Sequence, residues 1–280
     1  MHYKYNYLIT TNCNYDCYFC PIKHVEQFSS ETVINSVAKF ILDTVYTMND
    51  LESLRINVSG GEPMLHPLII DFMNHFINTD IIFHIYSNLS ADINKYLTIM
   101  DNIKNINFNF TYHNNHIEYS EFYNKLKKLI SYRDDIKFCI NYNLGENRLS
   151  IDKIHELFNS LCNKNVNIFL NVISYNGSEM NCDINIPSNK KYTNAEIALD
   201  TYNYNYDNFV QCHLINGTIS SKGYLYYCND TNNTIPILDI TGKNADVLYK
   251  RLAKRKYKCE STTCCHARPI INISDKSHDS

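Results

Sequence analysis

The sequence predicts an α/β fold built on parallel strands. Short apolar-rich runs alternate with longer segments whose apolar residues recur at helical spacing, and the alternation repeats six times before residue 180. At 280 residues and 44% hydrophobic content, the chain can bury one sizeable core and a small appendage, with no room for two full-size domains.

The first strand is expected at residues 5–9, followed by a cysteine-bearing loop. Residues 31–47 carry Val33, Val37, Phe40, Ile41 and Val45 at helical spacing, and residues 54–58 read as the next strand. The pattern continues with a helix at 68–77, a strand at 81–87, a helix at 91–100 and a strand at 106–112. It closes with a helix at 120–131, a strand at 136–142, a helix at 151–163 and a strand at 166–173. Such a series argues for a parallel sheet or barrel.

Alternate strand positions are polar, although buried parallel strands usually read as continuous apolar runs. Arg55, Asn57 and Ser59 interleave with Leu54, Ile56 and Val58. Asn107, Asn109, Thr111 and His113 interleave with Ile106, Phe108, Phe110 and Tyr112, and Lys137, Cys139 and Asn141 with Ile136, Phe138 and Ile140. One face is expected to pack on helices and the other to line an open cavity for a polar substrate, because a closed barrel fills its interior with branched apolar residues.

Cys13, Cys17 and Cys20 stand at spacings of three and two residues on the loop after the first strand. Three thiolates there satisfy three irons of a [4Fe–4S] cluster and leave the fourth open to a small molecule. The competing reading is a zinc site that adds His24 as fourth ligand. Gly60, Gly61, Glu62 and Pro63 follow the second strand; alone they read as an ordinary turn. A zinc knuckle does not need that turn, so the joint occurrence favours iron and sulfur. Active sites of parallel α/β folds lie at the carboxyl ends of strands, where the cysteines, residues 60–63, Ser87, Asn88 and His113 all fall.

These residues resemble the radical S-adenosylmethionine superfamily, whose signature is C-x3-C-x2-C with an aromatic residue, here Phe19, before the last cysteine. The resemblance implies a partial (β/α)6 TIM-like barrel over residues 1–180. It implies that Gly60, Gly61, Glu62 and Pro63 hold the methionine ammonium of S-adenosylmethionine, and that Ser87, Asn88 and Asn141 contact the cosubstrate. Cluster and cosubstrate together imply a 5′-deoxyadenosyl radical that abstracts hydrogen from a substrate. His113 is a candidate substrate ligand or proton relay; its alternative is a solvent-exposed loop histidine.

Residues 181–208 read as an irregular connector. Beyond it, Cys212 and Cys228 bracket Gly223 in an expected hairpin at residues 218–227, and Cys259, Cys264 and Cys265 follow a helix at 245–254. The hairpin, helix and cysteines of residues 209–280 resemble the auxiliary-cluster extensions called twitch and SPASM domains, the twitch form with one cluster fitting five cysteines better. The resemblance assigns Cys212, Cys228, Cys259 and Cys264 as ligands, with Cys265 an alternative to Cys264. A four-cysteine zinc site is the competing reading. Cys139, Cys162 and Cys182 stand alone and read as core or connector residues.

A net charge of −3 gives no reason to expect nucleic acid, and no stretch has the apolar length of a membrane span or a signal peptide. Eleven cysteines, an odd number, point to metal binding in a reducing compartment, hence a soluble cytoplasmic enzyme. The resemblance further implies an electron donor such as flavodoxin or ferredoxin and a peptide or protein substrate that is oxidised, epimerised or cross-linked. Two alternatives stand beside it: a small-molecule dehydrogenase of the sugar or aminocyclitol type, and a non-catalytic iron–sulfur or zinc protein. The sequence begins directly at the barrel, which favours a small polar substrate or a separate recognition protein.

Overall fold

The computed structural model describes residues 2–17, 20, 27–113, 115–144, 166–172, 211–213, 216–227, 238–252, 256–258 and 271–272. Six strands run parallel in the order in which they occur: β1 (His2–Thr10), β2 (Ser53–Gly60), β3 (Ile82–Ser87), β4 (Ile106–Tyr112), β5 (Lys137–Leu144) and β6 (Val166–Val172). Parallel neighbours cannot be joined by a tight turn, so each return is a crossover. The crossovers are α1 (Glu31–Phe40), α2 (Ile69–Asn74), α3 (Ile93–Asn102) and α4 (Tyr119–Tyr132). The expected helix at 151–163 and connector at 181–208 lie outside the described residues.

The alternation in sequence becomes a difference in burial. Leu54, Ile56 and Val58, then Ile106, Phe108 and Phe110, then Ile136, Phe138 and Ile140 are all buried against the helices. Phe108 stacks between Phe110 and Phe138, at 5.5 and 6.0 Å. On the opposite face Arg55 and Lys137 are exposed, while Asn107, Thr111, Cys139 and Asn141 are half-buried. A strand turns successive side chains to opposite faces, so a sequence alternating apolar with polar produces one dry and one wet face.

Two helices differ from expectation. The helix expected at 31–47 is α-helical only to Phe40; Ile41–Val45 form a π turn, with Tyr46 N–H donating to Ile41 O at 2.8 Å. The wider turn lets Ile41, Thr44 and Val45 all face the core. The helix expected at 68–77 keeps six α-helical residues and then tightens into three-residue turns, Phe76 N–H to Met73 O and Thr79 N–H to Phe76 O.

The expected hairpin forms and extends the main sheet. β8 (Asn216–Ile219) lies parallel to β1, β9 (Tyr224–Tyr227) returns antiparallel to β8, and β10 (Leu238–Asp239) pairs with β9. A helix, α5 (Ala245–Leu252), docks through Tyr249, whose buried hydroxyl meets that of Tyr5 on β1 and whose ring meets Phe40 edge-on at 5.1 Å. Each buried hydroxyl thereby has its partner. At the other edge β12 (Ile271–Asn272) pairs antiparallel with β6, and β7 (Gln211–His213) pairs with β11 (Lys256–Lys258) in a separate ladder. No described helix is long and apolar enough to cross a membrane.

Candidate active site at the carboxyl ends of the strands

The loop after β1 and the turn after β2 are tied by backbone hydrogen bonds. Gly61 N–H donates to Thr10 O at 2.9 Å and Glu62 N–H to Asn12 O at 2.8 Å. This approach requires glycine: a Cβ at Gly60 would lie 2.0 Å from Thr10 O and one at Gly61 2.1 Å from Asn12 O, and Gly60 also has φ 132°. Pro63 begins a buried 3-10 turn, Pro63–Leu65, which Glu62 caps through its own side chain.

Glu62 is the hub. Its Oε1 accepts from Met64 N–H (3.0 Å) and Ser87 Oγ (2.9 Å), its Oε2 from Asn88 N–H (2.6 Å), and the residue is 1% exposed. Tyr96 of α3 extends the chain, its hydroxyl 2.7 Å from Ser87 Oγ. Burial pushes the Glu62 carboxyl up from 4.5 to about 7, against the opposing pull of these hydrogen bonds and of His113. Of a carboxylate's roughly four acceptor sites, about one remains for a further donor. A buried carboxylate with one open site binds a cation well, because the cation supplies the charge that burial otherwise penalises.

That shift has a measurable consequence. Between pH 4.5 and about 7 folded protein holds a proton on Glu62 that the unfolded chain has released, so this group makes stability fall as pH rises through that window. Glu62→Gln lacks the slope. The melting temperature of the variant relative to wild type, measured without cosubstrate, is expected to climb from pH 4.5 to 7 and then level; a difference independent of pH contradicts the assignment.

The cysteines sit beside this hub. Cys13 Sγ accepts from Tyr15 N–H at 3.4 Å and from Asn88 Nδ2 at 3.9 Å; Asn88 Nδ2 also donates to Asn14 Oδ1 at 3.0 Å. Cys20 N–H donates to Cys17 O at 3.0 Å, closing a turn, and Cys17 Sγ lies 3.4 Å from His113 Nδ1. Tyr15 stacks on His116 at 4.3 Å and meets His113 edge-on at 5.5 Å, wedging the loop against the end of β4. Among the described residues none of the three is in a disulfide, all three are half-buried, and burial raises Cys13 above its usual value despite the Tyr15 hydrogen bond.

Among the described residues no three His, Cys, Asp or Glu side chains close on a site for a single metal ion. In an iron–sulfur cluster each thiolate takes its own iron, so the donors stand apart, and soft half-buried thiols are the donors such a cluster uses. The three cysteines fit that group in kind, and Cys13, Cys17 and Cys20 are the residues that would hold it.

Of the other candidates, Asn141 lies on the wet face of β5 opposite Thr111, and Cys212 lies in β7 opposite Tyr257. Phe19, Cys228, Cys259, Cys264 and Cys265 lie outside the described residues. Sequence reasoning did not single out Tyr96, Asn14, Tyr15 or His66. The His66 ring is fully buried: Nδ1 accepts from Leu68 N–H at 3.0 Å, so Nε2 carries the proton it donates to Ser29 O, also at 3.0 Å. Pro67 in the sequence was the only cue to a turn there.

The chain is thus an α/β protein with six parallel strands, whose polar groups converge where β1 to β4 end. No protein-family model matches its sequence, and no curated protein matches it either. Solved structures do match the fold. Streptococcus suis SuiB matches at 15% identity and a TM-score of 0.56 over 88% of this chain and 65% of its own. SuiB bound to precursor peptide SuiA matches at 13% identity and 0.59, over 88% and 64%. Native anSMEcpe with bound AdoMet and Cp18Cys peptide matches at 14% identity and 0.59, over 91% of this chain and 83% of its own. At these identities the likeness is one of fold, and this chain spans less than two thirds of SuiB.

Proposed function

We propose that this chain is a radical S-adenosylmethionine enzyme that modifies a peptide or protein. The observation that carries the reading is the buried Glu62 carboxylate, hydrogen-bonded by Met64, Ser87 and Asn88 and tied through its backbone to the loop bearing Cys13, Cys17 and Cys20. A cluster on those thiolates, when bound, supplies the electron that cleaves the sulfonium of S-adenosylmethionine. Glu62 then holds the cosubstrate's ammonium with its remaining acceptor site, and Ser87 and Tyr96 orient Glu62. Asn88 braces Cys13 and Asn14, and His113 stands beside Cys17 where the wet face begins. The sequentially ordered strands read as a partial barrel whose wet face admits the substrate, and residues 209–280 as an auxiliary-cluster extension held by Cys212, Cys228, Cys259 and Cys264 or Cys265.

A peptide substrate is favoured because two proteins that share the fold, SuiB and anSMEcpe, have been solved with peptides, and SuiB and anSMEcpe also with S-adenosylmethionine. The test is production of 5′-deoxyadenosine from S-adenosylmethionine by the anaerobically reconstituted, dithionite-reduced protein, read by mass spectrometry beside iron content. Product above a no-protein control supports the reading, and about eight irons per chain match two [4Fe–4S] clusters. Full iron loading without product overturns it in favour of a binding role.

A further inference from the structure

The wet face carries a charge pattern that the cosubstrate site does not use. By strand register, Lys4 of β1 lies opposite Arg55 of β2, Asn57 opposite His84 of β3, His84 opposite Asn107 of β4, and Asn107 opposite Lys137 of β5. Three lysine or arginine residues thus share the half of the face remote from the cysteines. Across the described positions of this face on β1 to β5 there is no Asp or Glu; Glu52, just before β2, pairs with His2 at 3.4 Å. Arg55 and Lys137 are exposed, and neither makes an ion pair among the described residues. His84 lies among them: burial first, then the charges of Arg55, Lys4 and Lys137, lowers it from 6.5 to about 4. Burial alone disfavours any charge, so it is the smaller contribution, from Arg55, Lys4 and Lys137, that marks the face as one that attracts an anion.

A second observation is independent of charge. Asn57 is 3% exposed, its Nδ2 donates to Asn6 Oδ1 at 2.6 Å, and its Oδ1 is the one buried side-chain polar atom among the described residues without a hydrogen-bond partner. Whichever way the amide is turned, one end is left over. An orphaned buried polar atom costs about 1–3 kcal/mol and is expected where a ligand completes it. A peptide group, with both N–H and C=O, can satisfy either end; a phosphate offers only acceptors.

We infer that this face binds an acidic peptide segment, with substrate carboxylates on Arg55, Lys137 and Lys4 and a substrate backbone amide on Asn57. The inference rests on the peptide-modifying reading above and deepens it by naming the substrate class. It also places the charge. Arg55 and Ser59 are four residues apart on β2, about 13 Å at the usual strand rise, and an extended peptide has the same rise. The acidic residue of the substrate therefore lies about four or five positions from the residue that meets the radical.

The experiment measures fluorescence anisotropy of labelled octapeptides on the reconstituted full chain without cosubstrate. The probes are (Gly-Asp)4, (Gly-Asn)4 and (Gly-Lys)4, with a single-stranded oligonucleotide as competitor. The acidic peptide is expected to bind about tenfold or more tightly than the asparagine peptide, with the lysine peptide weakest. Arg55→Glu is expected to lose about tenfold in affinity for the acidic peptide, and the milder Arg55→Gln to lose less in the same direction. Equal binding of the three peptides, unchanged affinity in both variants, or displacement of the peptide by the oligonucleotide alone overturns the inference. The wild-type ranking needs no variant to fold. Acidic-peptide binding without 5′-deoxyadenosine formation removes the enzymatic reading and leaves the binding site, and the reverse removes this inference alone.

Discussion

Cys17→Ala is expected to bring 5′-deoxyadenosine production down to the no-protein control and to lower iron content, with far-UV circular dichroism unchanged. Removing the thiol loses its contact with His113 Nδ1, but the backbone turn from Cys17 O to Cys20 N–H and the Tyr15 wedge on His113 and His116 remain, so the loop keeps its seat. What is lost is one of three soft donors, and a cluster held by two thiolates has neither the charge balance nor the fixed open iron that the proposed chemistry needs. Cys17→Ser keeps the size but substitutes a harder donor, so it should fall close to the alanine variant. Cys139→Ala is the control. That thiol is half-buried on the wet face of β5, opposite Asn109, and its loss should leave cleavage and cluster iron near wild type. Wild-type cleavage by Cys17→Ala sinks the proposed function; a Cys139→Ala variant as dead as Cys17→Ala shows that general thiol loss, not this site, is being read.

The strands were legible because their physics is local. β2, β4 and the first half of β5 alternate apolar with polar residues, and the apolar set is buried in each, although Asn57 and Asn109 of the polar set are buried too. The cysteine loop and the Gly-Gly-Glu-Pro turn were legible for a similar reason, since each packs its chemistry into a few consecutive residues. What sequence could not give depends on pairing at a distance. Tyr96 sits at helical spacing on α3 and reads as core; only the ends of β2 and β3 lying side by side make its hydroxyl the support of Ser87 and Glu62. The hairpin at β8 and β9 was readable, but its docking beside β1, some two hundred residues away, was not. Likewise Lys4, Arg55 and Lys137 are unremarkable singly, and form one basic face only once register is known. The π turn at Ile41–Val45 is invisible in apolar spacing because it absorbs one extra residue without changing which side is apolar.

Gly60→Ala is expected to be strongly damaging for the addition of a single methyl. The added Cβ would stand 2.0 Å from Thr10 O and 3.1 Å from its carbonyl carbon, on backbone held by Gly61 N–H to Thr10 O and by Thr10 Oγ1 to Gln27 O. No flexible side chain is there to give way, and φ of 132° is itself strained for alanine. Relief requires the turn after β2 to part from the loop after β1, which breaks the Gly61 and Glu62 backbone bonds and moves Glu62 off Ser87 and Asn88. The combined cost should be about 3 kcal/mol, a fall of roughly 6–12 °C in melting temperature for a chain of this size. Gly242→Ala provides the contrast, since its nearest neighbour, Asp239 O, is 3.2 Å away on an exposed turn and its φ is not strained. It should stay within about 1 kcal/mol of wild type. Because this backbone contact joins the two motifs directly, and Asn88 links Glu62 to Cys13 and Asn14 beside it, Gly60→Ala should also weaken cosubstrate binding and lower cluster iron together; loss of stability with both intact means that the glycines serve the fold and not the site.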